Sequence, residues 1–194
     1  WVERNLKEVF LPTSIAMKKG FVKRNVQIQG WTLDEWLNDE KLIPVAQEVI
    51  DNLKEAGKRG NIMLGCSVYS HGLAPLLSDH LLYALIYVDK ISSMRIGFPK
   101  FFFAPELAVD KRVVKLVIEK FPELVIVMPS KSIGIKRSAI VTINDHPCYC
   151  VNSKLKDILM NGTSYQNIPV GLPRKYAMKS MRDKRCFLET LKHV

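Results

Sequence analysis

Four short, largely apolar runs do most to constrain the fold of this chain: residues 61–65, 100–104, 124–128 and 139–143. Runs of this length, with so little charge, match strands covered on their faces better than helices. Between them the apolar spacing turns helical. After Pro44, Val45, Ala46, Val49, Ile50 and Leu53 recur at helical intervals, with Glu48, Asp51, Asn52, Lys54 and Glu55 opposite. Gly57 and Gly60 end that segment. Residues 73–88 read as a largely buried helix, and Pro105 and Glu106 open another through about Phe121, stopped by Pro122. Thr32, with Glu35 three residues on, reads as a capping pair leading into a helix that contains Trp36 and Leu37. Residues 1–21 read as a short helix followed by a strand or loop, and residues 154–160 as a further short helix. Strands alternating with helices imply an α/β fold: a central mixed sheet with helices on both faces, a three-layer sandwich. The expected division is an α/β domain with an N-terminal helical extension over residues 1–164, then a basic loop and C-terminal helix over 165–194.

Composition matters chiefly through charge. Of the net +10, residues 1–25 carry six Lys/Arg against two acids and residues 128–194 twelve against four, while residues 26–127 carry eleven against thirteen. Basic ends around a balanced middle point to a polyanionic partner, nucleic acid first and an anionic membrane surface second. No apolar stretch is long enough to span a bilayer. Four irregularly spaced cysteines do not make a disulfide framework, so reduced thiols in an intracellular protein, cytoplasmic or nuclear, are expected. The chain opens on Trp1 without a secretory pattern, as a piece of a longer protein would.

The richest local stretch is residues 124–143. An uncharged strand ends at Pro129, a polar turn presents Ser130, Lys131 and Ser132, and Lys136, Arg137 and Ser138 precede the next strand. Hydroxyls, backbone amides and cations at a sheet end suit phosphate contacts. This segment resembles the kink-turn RNA-binding family of ribosomal and small-ribonucleoprotein subunits, in which a strand runs into a Pro-Ser-Lys turn and then a basic stretch and a final strand. The resemblance implies an α/β sandwich that binds RNA.

Three other constellations could carry chemistry. In residues 65–72, Cys66 or Ser67 could act as a nucleophile with His71 as its base. His146, Cys148 and Cys150, with Cys186 from the tail, could ligate zinc, although Pro147 would disturb a strand presenting them together. Zinc is the alternative there; the expected reading is a turn followed by a cysteine-bearing edge, with no tightly bound metal. The scattered acids Asp79, Asp89, Glu106 and Asp110, with Lys111 or Lys115, invite a metal-dependent nuclease only if carboxylates converge. Glu106, Asp110 and Lys111 fall on one expected solvated helix instead. Trp1, Trp31 and Trp36 read as core or staple residues.

The sequence is therefore expected to encode a non-enzymatic nucleic-acid-binding domain, for RNA in the first place, working beside protein subunits in a larger assembly and needing no cofactor. Its contacts would come from Ser130, Lys131, Lys136 and Arg137, and from the tail cations Arg174, Lys175, Lys179, Arg182, Lys184 and Arg185. The rivals are a hydrolase or metal-dependent nuclease built on the Cys66–His71 loop and the central acids, and a protein-interaction domain with a basic docking surface.

Overall fold

A computed structural model describes residues 2–129 and 139–151. By internal contacts the chain divides into two compact units, Trp1–Ile126 and Val127–Val194. The first opens with α1 (Val2–Asn5), a π-helical segment (Leu6–Phe10) and α2 (Leu11–Lys18), which lead to strand β1 (Arg24–Gln27). Then come α3 (Gly30–Asn38), α4 (Ile43–Lys58), β2 (Ile62–Cys66), a short 3-10 turn (Ala74–Leu76) and α5 (Asp79–Ser93). Strand β3 (Phe101–Phe103), a second 3-10 turn (Pro105–Leu107), α6 (Lys111–Lys120) and β4 (Val125–Pro129) follow, and a hairpin of β5 (Ala139–Ile143) and β6 (His146–Val151) completes the described residues.

The strands form a six-stranded mixed sheet in the order β1-β2-β3-β4-β6-β5, so the α/β class holds. β1 pairs parallel with β2 from Arg24↔Ile62 to Gln27↔Gly65, and β2 pairs parallel with β3 at Gly65↔Phe101 and Cys66↔Phe102. Gly65 has no room for a side chain, because a Cβ there would stand 2.2 Å from the Phe101 ring. β5 and β6 pair antiparallel around Asn144 and Asp145, both at positive φ, as a two-residue hairpin turn requires.

The core of the first unit forms where the helical spacing of α4 promised it. Ala46, Val49, Ile50, Leu53 and Ala56 are buried, and they pack with Leu6 and Met17 from the N-terminal helices and Leu33 and Trp36 from α3. Trp36 meets Phe10 edge to face, ring centroids 4.8 Å apart. At roughly 25 cal/mol per Å² of apolar surface removed from water, such a cluster is the main favourable contribution to folding of this unit.

Several local expectations are corrected. α3 starts at Gly30, with no capping side chain at Gln29, so Thr32 lies inside the helix. A tertiary contact has taken the cap's place, since the Gly30 N–H donates to Asp89. α5 begins only at Asp79, where the Ser78 hydroxyl accepts from the Leu81 N–H. α6 begins at Lys111 with Asp110 as its cap, accepting from the Val113 N–H at 2.8 Å. Glu106 therefore belongs to the turn after β3 and not to a helix. Pro147 does not break its strand either. It lies near the start of β6, where an extended backbone suits proline, and pairs with Thr142. The expected helix at residues 154–160 and the basic tail lie outside the described residues. No described helix is long and apolar enough to cross a membrane.

Candidate functional site

The carboxyl ends of β1, β2 and β3 are stitched together by buried polar groups. Asp89, on α5 and with no exposed surface, accepts from the Gly30 N–H beyond β1 through one oxygen and from the Ser67 N–H beyond β2 through the other, both at 2.6 Å. The Ser67 hydroxyl in turn donates to the Phe103 carbonyl of β3 at 2.7 Å. Burial pushes the Asp89 carboxyl above its ordinary range, with the two backbone N–H groups pulling the other way. Loops beyond the carboxyl ends of parallel strands are where α/β sheets place ligands.

On this frame sit three side chains, one per strand end. The Gln29 side-chain amide donates to Nδ1 of His71 at 2.5 Å, which leaves Nε2 as the protonated ring nitrogen. That Nε2 faces Oε1 of Glu106 at 3.8 Å. His71 and Glu106 are well exposed, at 58% and 68% of side-chain surface, so both can reach a ligand. Both also hold left-handed backbone conformations, φ 60° and 56°, and Leu107 next to Glu106 does the same at 54°. Each such residue costs about 1–3 kcal/mol and persists only where its surroundings impose it. Here the Val68 carbonyl accepts from the His71 N–H, and the Ala104 and Pro105 carbonyls accept from the Leu107 and Ala108 N–H groups, over the buried Ala104 and Pro105.

The residues singled out from sequence fare unevenly. His71 is in this site. Cys66 and Ser67 are not available as its nucleophiles: Cys66 is fully buried, burial and the Asp89 charge push its thiol upward, and the Ser67 hydroxyl is engaged with Phe103. The acids do not converge, and among the described residues no group of three His, Cys, Asp or Glu is placed to hold a metal ion. Asp79 pairs with Arg112, Asp110 caps α6, and Asp89 is structural. In β6, His146, Cys148 and Cys150 alternate onto one buried face; burial first, then Cys150, pushes the Cys148 thiol up to about 11, and burial pushes the Cys150 thiol up as well. Ser130, Lys131, Lys136, Arg137, Arg174, Lys175, Lys179, Arg182, Lys184, Arg185 and Cys186 lie outside the described residues. Sequence reasoning missed Gln29 and misplaced Glu106. The available signal was Pro105 directly after an uncharged strand, which reads equally well as a strand-end turn.

No family model matches the chain, and no curated protein does. Among solved structures, the fold is similar to the crystal structure of 4-alpha-glucanotransferase from Thermococcus litoralis, with a TM-score of 0.62 and 14% sequence identity over 82% of this chain. The match spans 26% of that protein's length. The likeness is one of fold. It corrects the expectation of a non-enzymatic RNA-binding domain: the architecture is shared with an enzyme, which points away from that reading.

Proposed function

We propose that the chain forms part of a carbohydrate-active enzyme that breaks and re-forms glycosidic bonds, with Glu106 as the carboxylate that receives the sugar at its anomeric carbon. The observation that carries this reading is the Glu106–His71 pair, exposed and held at positive φ on neighbouring strand ends. The fold likeness to a glucanotransferase supplies the substrate class, an α-glucan. Moving a glycosyl unit between acceptors requires that it be held while the first product leaves, and an ester to a carboxylate does this. A Glu106 oxygen forms a bond to the anomeric carbon as the leaving group departs with the bonding electrons. An acceptor hydroxyl or water then attacks the same carbon, releases its proton to solvent and regenerates the carboxylate. His71, oriented by Gln29, turns an N–H toward the same space and can donate to a sugar oxygen or to the carboxylate.

Such reactions also use a second carboxyl group as acid and base. α-Glucosyl fluoride bypasses that need, because fluoride leaves without protonation, so it tests Glu106 by itself. The chain should release fluoride and gain the mass of one glucosyl unit on Glu106, and Glu106→Gln should lower release by at least about a thousandfold. Release absent from both, or equal in both, removes the reading.

A further inference from the structure

The corner beside this site is built from two aromatic rings that the reactive pair does not use. Trp31 is 52% exposed, whereas Trp36 on the same helix is 2% exposed. Its ring stands edge to face with Tyr69, centroids 6.3 Å apart and planes at 78°, which leaves indole surface open. The corner is braced by several contacts. The Tyr69 hydroxyl donates to one oxygen of Asp34 and Arg95 donates to the other. The Tyr69 ring also lies so close over Gly30 that a Cβ there would approach it to 2.6 Å. The Trp31 backbone N–H donates to the Tyr69 carbonyl at 3.4 Å, tying the two segments together.

Trp31, Asp34, Glu35 and Asn38 follow the i, i+3, i+4, i+7 spacing of one helix face. With Tyr69 and Asp39 among its other walls, that face lines a cavity of about 430 Å³. A pocket of that size is in the range that small ligands fill. Its chemistry is selective. A pyranose ring offers an apolar face of axial hydrogens to an indole and a rim of hydroxyls to acceptors, and carboxylates and an amide are acceptors. Phosphorylated ligands would meet Asp34, Glu35 and Asp39. Position links the corner to the reactive pair, because Trp31 is two residues beyond Gln29 and Tyr69 two residues before His71. Two residues span at most about 7 Å.

We infer that Trp31 and Tyr69, with the acceptors on the Asp34–Asn38 face, form a subsite that stacks a neutral glucosyl unit of a longer oligosaccharide next to Glu106. The inference rests on the glycosidic reading of the Glu106 site. Calorimetric titration of the chain with maltotetraose should show saturable binding. In Trp31→Ala the affinity should fall about tenfold, with Trp31→Phe between. The KM for maltotetraosyl fluoride should rise about tenfold more than that for glucosyl fluoride. Thermal melting of both variants checks that they fold. Should fluoride release depend on Glu106 while both Trp31 variants bind maltotetraose like the parent, the subsite is overturned and the site reading stands. Without Glu106-dependent release or maltotetraose binding, both fall together. Saturable binding of choline in place of maltotetraose would mark a cation cage and overturn the subsite alone.

Discussion

Asp89 is the residue on which the site's geometry turns, since one buried carboxylate holds the ends of two strands that carry Gln29 and His71. Asp89→Ala would leave two buried N–H groups without an acceptor, at about 1–3 kcal/mol each. Asp89→Asn keeps one acceptor but turns an NH₂ toward the other N–H, so it should lose about half as much. The carboxyl's raised value sets the sign of the pH effect. Between its ordinary value and the raised one, the folded chain binds the proton more tightly than the unfolded chain, so stability falls as pH rises through that window. Urea unfolding from about pH 4 upward should show this slope in the parent and its loss in Asp89→Asn. Equal slopes in the two proteins would mean that another group carries the titration.

Among elements, the β2–β3 pairing shows how a small residue decides a strand's place. The Phe101 ring fills the space over Gly65 on the neighbouring strand, and this contact lets three consecutive phenylalanines enter a parallel sheet. Gly65→Ala should cost about 1–3 kcal/mol by overpacking. Adding Phe101→Leu should return part of that loss, because the two positions share one space. Additive losses in a double-mutant cycle would show that the clash is relieved elsewhere. β1 illustrates the opposite case. Arg-Asn-Val-Gln carries no apolar run, and only the parallel neighbour at Ile62–Gly65 makes it a strand.

For the molecule as a whole, the thiols report how tightly the first unit closes. Cys66 lies at the end of β2 with no exposed surface, and burial followed by the nearby Asp89 charge pushes its thiol upward. Iodoacetamide at mildly alkaline pH should therefore leave Cys66 unmodified in the folded chain and alkylate it across the unfolding transition, as peptide mass mapping would read. Rapid modification in native buffer would show that the strand ends open locally. Such opening would also disturb the Ser67 hydrogen bonds on which the His71 loop depends.

Much of the architecture was legible in the chain itself. Short apolar runs and the period of α4 are local patterns that answer directly to burial, so the α/β class and the core face of α4 follow from them. The residues of the candidate site were not legible in that way. Glu106 follows a proline and precedes a helical pattern, so local rules extend the helix over it; the buried Ala104 and Pro105 and the cap at Asp110 pull it into a turn. Gln29 has no motif at all and enters the site because Asp89, sixty residues away in sequence, fixes its neighbour Gly30. Local sequence determined the apolar strands and the body of most helices, because these depend on spacing within about ten residues, whereas β1 and the turn at Glu106 depend on their neighbours. Tertiary structure decided which polar groups meet at the strand ends, because those contacts depend on three strands and a helix packing at once.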